Sequence, residues 1–86
     1  MQRLHTPQDA AQWLRTRVQG TLHTDSRRVQ SHDGFIAWPG AATDGRRFVR
    51  NALQQGASAC LVEVDGAQTY DWHAQADERV AAYSGL

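Results

Sequence analysis

TDSRRVQSHDGFIAWPGAATDGRRF, running from Thr24 to Phe48, is the stretch whose reading decides the fold. It reads as strand, tight turn, strand, small-residue loop and helix start. Ser31-His32-Asp33-Gly34 carries turn chemistry. Phe35-Ile36-Ala37-Trp38 is apolar on both sides, which suits a strand in the interior of a sheet, and Pro39-Gly40 ends it. The loop over 39–43 has no bulky side chain apart from the flanking Trp38, so its backbone amides lie open. It runs into Asp44-Gly45, a helix N-cap signal. Backbone donors beside a helix N-terminus suit a polar or anionic ligand such as a nucleotide. The commoner use of such a loop is simply to join a strand to a helix, and local physics leaves both readings open.

Upstream, Thr6-Pro7-Gln8-Asp9 is a helix start: a hydroxyl cap, Pro at the first helical position and an acid in the first turn. Ala10, Trp13, Leu14 and Val18 follow at helical spacing, and Gly20 is a natural stop. A short strand is expected over 22–24, then a bend that exposes Asp25-Ser26-Arg27. Downstream, Phe48, Val49, Ala52 and Leu53 form the buried face of a second helix that stops at Gly56. Ser58 to Val64 is a strand. Thr69-Tyr70-Asp71-Trp72 could form a short edge strand, and a third helix is expected from Asp77, with Val80 and Tyr83 one turn apart.

The pattern is α/β: a small domain with a mixed sheet of short strands packed with two to three helices. The helix over 46–55 would cross between the strands at Phe35 and Cys60, a right-handed parallel unit if they share a sheet. The chain has 86 residues, enough for one domain with a modest core. Ending at Leu86 with its last helix barely formed, it is expected to be a piece of a longer protein.

Nine basic and nine acidic residues balance to zero, which argues against an electrostatically driven nucleic-acid or membrane binder. Every basic residue is Arg. Without Lys, a GxxxxGK[ST] phosphate loop and any Lys-dependent chemistry are excluded within these residues. The lone Cys60 lies in the apolar run 57–64, where a buried thiol is expected. No signal peptide and no run of transmembrane length are present, so a soluble, cytoplasmic domain is expected, with no membrane insertion.

His23, Asp25 and Ser26 supply the residue types of a nucleophilic triad. Neighbours in sequence rarely converge in space, and no oxyanion loop accompanies them. The four His residues lack metal-ligand spacing, so no metal site is expected. Arg28 and Arg47 read as solvated charge. Arg46 stands near a helix N-terminus, where a cation opposes the macrodipole; a bound phosphate would relieve that conflict. Trp38 is either a half-buried aromatic or the wall of a base-binding pocket. Ser26 and Thr43 are small hydroxyls that either satisfy local backbone groups or meet a ligand.

Thr24-Asp25-Ser26-Arg27-Arg28-Val29, then Asp33-Gly34-Phe35-Ile36-Ala37, Pro39-Gly40, Asp44-Gly45-Arg46-Arg47-Phe48 and 54–63 (QQGASACLVE) resemble, in order and spacing, the N-terminal domain of the Mur ligases. The likeness is closest to the MurE type; the MurF type shows a similar series, and Asp25-Ser26-Arg27 tilts the reading to MurE. A stand-alone binding module of the same fold is the rival from another class.

The resemblance implies a three-domain, ATP-dependent amide ligase that extends UDP-N-acetylmuramoyl-L-alanyl-D-glutamate by one amino acid, meso-diaminopimelate or L-lysine, in peptidoglycan synthesis. By position, the UDP contacts would fall on Thr24 and Ser26 and on Ala41, Ala42 and Thr43; Arg46 stays a candidate phosphate contact on the macrodipole argument alone. Ala41 and Ala42 can offer only backbone groups, where family members often carry polar side chains. ATP and magnesium are implied for the full-length enzyme, on central and C-terminal domains beyond residues 1–86. No catalytic residue is carried over, and this part alone is expected to be inactive.

Overall fold

The computed structural model describes residues 2–39, 44–63 and 78–84. Among the described residues five strands make one sheet: β1 (Gln2–Arg3), β2 (Leu22–His23), β3 (Gly34–Ala37), β4 (Ala59–Glu63) and β5 (Val80–Tyr83). Helix α1 (Pro7–Arg17) lies between β1 and β2 in the chain, and α2 (Val49–Gln54) between β3 and β4. Short 3-10 turns occupy Ser26–Arg28 and Gly45–Phe48. The α/β class and the two leading helices are as expected. Strand order is β1-β5-β4-β3-β2, and all four pairings are parallel, where a mixture of directions was expected. The segment between β2 and β3 is a crossover rather than a reversal. Its 3-10 turn carries the chain over one face, and Val29, buried at 4% exposure, plugs it into the core before β3 begins.

Period-two alternation sorts the strands between two cores. Phe35 and Ala37, Cys60 and Val62, and Val80 pack with Val29, Val49, Ala52 and Ala57. Ala59, Leu61 and Ala81 pack with Leu4, Ala10 and Trp13, with Leu14, Val18, Ile36 and Tyr83 at the margin. The sheet is therefore buried on both faces, α1 covering one and α2 with the first 3-10 turn the other. Phe35 is fully buried, a transfer from water that contributes about 1.5–3 kcal/mol. Cys60 is buried in the same core, as its apolar neighbours implied.

Helix α1 begins as its sequence dictates: the Thr6 hydroxyl accepts from the Asp9 amide at 3.0 Å, and Pro7 takes the first position. It ends at Arg17, before Gly20. Gly20 serves a different purpose, because a Cβ there would stand 2.0 Å from Oδ1 of Asp33. In α2 the expected apolar face holds, with Val49 and Ala52 buried and Phe48 and Leu53 packed at its edge.

The expected third helix is corrected: residues 80–83 form β5, central in the sheet between β1 and β4. Val80, Ala81 and Ala82 are all buried, and a four-residue apolar run fits a two-faced buried strand as well as a helical turn. Its partner β1 is two residues long and exposed, too short for any pattern to announce it. The suggested edge strand over 69–72 lies outside the described residues.

Candidate functional site

Parallel pairing puts the carboxyl ends of β2 and β3 side by side at one end of the sheet. In open α/β sheets that end is where crevices for ligands form. Thr24 follows β2 and is exposed, with Asp25 and Ser26 next in line. Trp38 follows β3, 42% exposed, and leads to the loop that holds Ala41, Ala42 and Thr43. Those three residues lie outside the described residues, but the base of their loop does not. Pro39 and Asp44 form an isolated antiparallel bridge, and the Gly45 amide donates to the Trp38 carbonyl at 2.9 Å. The loop is thus pinched at its neck, both stems held by backbone bonds.

Each carboxyl end is followed by the same local device. After β2, the Asp25 carboxylate accepts from the Arg27 amide at 3.0 Å and holds the Arg27 guanidinium through Nε at 3.0 Å and Nη2 at 2.9 Å. After β3, the Asp44 carboxylate accepts from the Arg46 amide at 3.0 Å, from Nε at 2.9 Å and from Nη2 at 2.8 Å. In both cases Asp caps a 3-10 turn and neutralises the Arg two residues on. The Arg27 side chain lowers the Asp25 carboxyl to about 2, helped by the Arg27 amide, and Asp25 in turn raises Arg27.

The two copies differ in depth. Arg27 is 87% exposed, whereas the Arg46 side chain is 5% exposed and also donates through Nη1 to the Glu63 carbonyl at 3.0 Å. Asp44 therefore resolves the macrodipole conflict that a phosphate was expected to relieve at Arg46, and the guanidinium ties the loop's exit to the end of β4.

Ser26, expected on an exposed bend, is buried at 7% exposure. Within the turn Ser26–Arg28 its carbonyl accepts from the Val29 amide and the Gln55 side chain. The triad reading fails on geometry as it did on sequence. His23 Nε2 meets Asp33 at 3.0 Å rather than Asp25, whose carboxylate is engaged by Arg27.

Asp33, read as a turn residue, is the hub that sets β2 against β3. Its carboxylate accepts from the Thr21 amide at 2.9 Å and the Gln30 amide at 3.1 Å besides meeting His23. Those two backbone donors, ahead of His23, hold its carboxyl below the usual carboxylate range. The repeated Asp-x-Arg spacing was visible in the sequence and could have paired Arg46 with Asp44. Nothing local announces Asp33, whose partners lie up to twelve residues away.

A family model described as "Mur ligase family, catalytic domain" matches residues 20–84. A UDP-N-acetylmuramoyl-L-alanyl-D-glutamate--2,6-diaminopimelate ligase of Acidovorax sp. (strain JS42) is 57% identical over 83 residues, covering 96% of this chain and 16% of that protein. A protein of the same name from Janthinobacterium sp. (strain Marseille) is 38% identical over 66 residues, 76% of this chain and 12% of its own length. One from Vibrio cholerae serotype O1 is 43% identical over 51 residues, 59% of this chain and 10% of its own length. The chain spans about a sixth, or less, of the length of these relatives. Extent of match and identity agree with the motif series between Thr24 and Glu63: the chain belongs to the Mur ligase family and is closely related to its MurE-type members.

Proposed function

We propose that this domain holds the UDP end of UDP-N-acetylmuramoyl-L-alanyl-D-glutamate in the cytoplasm, as the N-terminal domain of an ATP-dependent ligase of peptidoglycan synthesis. The observation that carries the reading is the 57% identity, across nearly the whole chain, to a ligase named for that substrate. The relatives, each named a 2,6-diaminopimelate ligase, favour 2,6-diaminopimelate over L-lysine as the amino acid to be added.

Thr24 and Ser26 after β2, and Ala41, Ala42 and Thr43 after β3, are the proposed contacts. The first pair offers hydroxyl and backbone groups; the loop offers mainly amides. The exposed Trp38 ring at the loop's start is suited to stack on a base. Arg46 acts from behind: its bonds to Asp44 and Glu63 hold the loop's exit, and any phosphate contact would be secondary to that duty.

The domain's contribution to chemistry is positional. Anchoring the nucleotide end raises the effective concentration of the distant D-glutamate carboxylate at the reacting centre. ATP and magnesium would sit on other domains of the longer enzyme. Residues 1–86 hold no Lys for a phosphate loop, and among the described residues no group of three His, Cys, Asp or Glu could ligate a metal.

An NMR titration of the chain with UDP-N-acetylmuramoyl-L-alanyl-D-glutamate, with UDP and ATP as controls, tests the reading. Saturable shifts centred on Thr24, Ser26 and 41–43, reproduced by UDP and not by ATP, are the expected result. Shifts scattered elsewhere, or no preference for UDP over ATP, would overturn it.

A further inference from the structure

Of the proposed contacts after β2, Ser26 sits on a single 3-10 turn. Besides the Asp25 cap, that turn is closed by the Arg28 amide on the Asp25 carbonyl at 3.1 Å and the Val29 amide on the Ser26 carbonyl at 3.3 Å, bonds of the poorer geometry usual in 3-10 helix. An outside donor adds to them. The side-chain amide of Gln55, at the C-terminal cap of α2, donates to the Ser26 carbonyl and, at 3.2 Å, to the Val29 carbonyl. One planar group thus grips both ends of the turn from 26 and 29 residues away.

The end of α2 is itself fixed against the same crossover. The His32 amide donates to the Gly56 carbonyl at 3.0 Å, and a Cβ on Gly56 would come within 3.0 Å of the Ser31 Cα. Gln55 therefore acts from a rigid base. At its other end the same helical segment starts from Asp44 and Arg46, so one body braces both ligand-facing segments.

We propose that Gln55 is a positioning residue for nucleotide recognition, its amide fixing the turn so that the Ser26 hydroxyl meets the UDP end of the substrate. The inference rests on the UDP-binding reading above and names a residue outside the proposed contacts.

A double-mutant cycle on the chain tests it, with UDP as probe and temperatures at which every variant is folded. Gln55→Met keeps the side chain's length and removes both donors. It is expected to weaken UDP binding about tenfold, the scale of one to two lost hydrogen bonds. Amide exchange should quicken at Arg28 and Val29 while that of Leu61, in the core of β4, holds. Gln55→Glu, which sets acceptors against acceptors, should weaken binding further. In a Ser26→Ala background the Gln55→Met effect should largely vanish, because the amide works through Ser26; a general loosening of the fold would instead add to it.

If Ser26→Ala weakens UDP binding and Gln55→Met does not, or its effect simply adds, the role of Gln55 is overturned and the binding reading survives. Should Ser26→Ala itself leave UDP binding intact, or the unaltered chain show no UDP shifts, the binding reading at Ser26 falls and the role of Gln55 with it.

Discussion

The sequence makes Arg46 a candidate phosphate contact, and the structure holds its buried guanidinium on Asp44 and the Glu63 carbonyl as a strut, so replacing it separates the two roles. Arg46→Met retains most of the stem's packing and removes the guanidinium. The loss includes a forked pair with Asp44 at 2.8 and 2.9 Å and a bond to the Glu63 carbonyl at 3.0 Å. Breaking a buried ion pair from one side costs about 3–5 kcal/mol, because the partner is stranded. Asp44 keeps 24% of its side chain in water, which places the expected loss near the lower end, about 3 kcal/mol. A chain of 86 residues has roughly 4–13 kcal/mol to lose. In a domain of this size such a loss lowers Tm by roughly 12–24 °C.

Urea unfolding followed by tryptophan fluorescence measures the stability, and titration of the folded variant with UDP and with uridine measures the ligand role. A strut predicts a lower urea midpoint and nearly equal losses of affinity for UDP and uridine. Arg46→Lys, which keeps the charge without the fork, should recover only part of the stability. A stability loss under about 1 kcal/mol in Arg46→Met would place the pair among those of negligible worth and refute the strut. A selective loss of UDP over uridine, with stability intact, would restore the phosphate contact.

Two further outcomes are expected. Asp33 has a folded pKa below its unfolded value, so its contribution is full above the unfolded carboxylate range and is lost as pH falls through the folded value. The urea midpoint of the unaltered chain should therefore fall more between pH 7 and pH 3 than that of Asp33→Asn; equal falls would show that the carboxylate hub carries no linkage. Gly56→Ala forces a side chain onto φ +102° and against Ser31, so unfolding should come at least about 1 kcal/mol sooner, and an unchanged midpoint would contradict that geometry.

What the sequence disclosed was whatever local chemistry determines. Thr6-Pro7 started α1, the apolar run through ACLVE made β4, and the apolar face of α2 was visible in Phe48, Val49, Ala52 and Leu53. What it concealed depends on partners distant in the chain. Val80 to Tyr83 is a strand because β1 and β4 lie on either side of it, and β1 is two residues that no pattern marks. Ser26 is buried because Val29 anchors its turn in the core under α2, a fact of the crossover and not of the Asp-Ser-Arg triplet. Arg46 looked unsatisfied only because helix starts disfavour cations in general, whereas an Asp two residues earlier answers both the amide and the guanidinium.

That answer recurs, and its recurrence links fold to site. Asp25-Ser26-Arg27 and Asp44-Gly45-Arg46 are one device used at the ends of two neighbouring parallel strands. Each starts a 3-10 turn and accepts from the amide two residues on. The outer copy is solvated and leaves Ser26 to be held by Gln55. The inner copy is buried, braces the neck of the loop over 40–43 against Glu63, and so fixes where that loop leaves and rejoins the fold. A ligand meeting both segments would touch two turns of like construction held by the opposite ends of one short helix. Recognition at this edge would then depend on α2 as much as on the residues in contact, and substitutions at Asp44 or Gln55 should alter it without either side chain meeting the nucleotide.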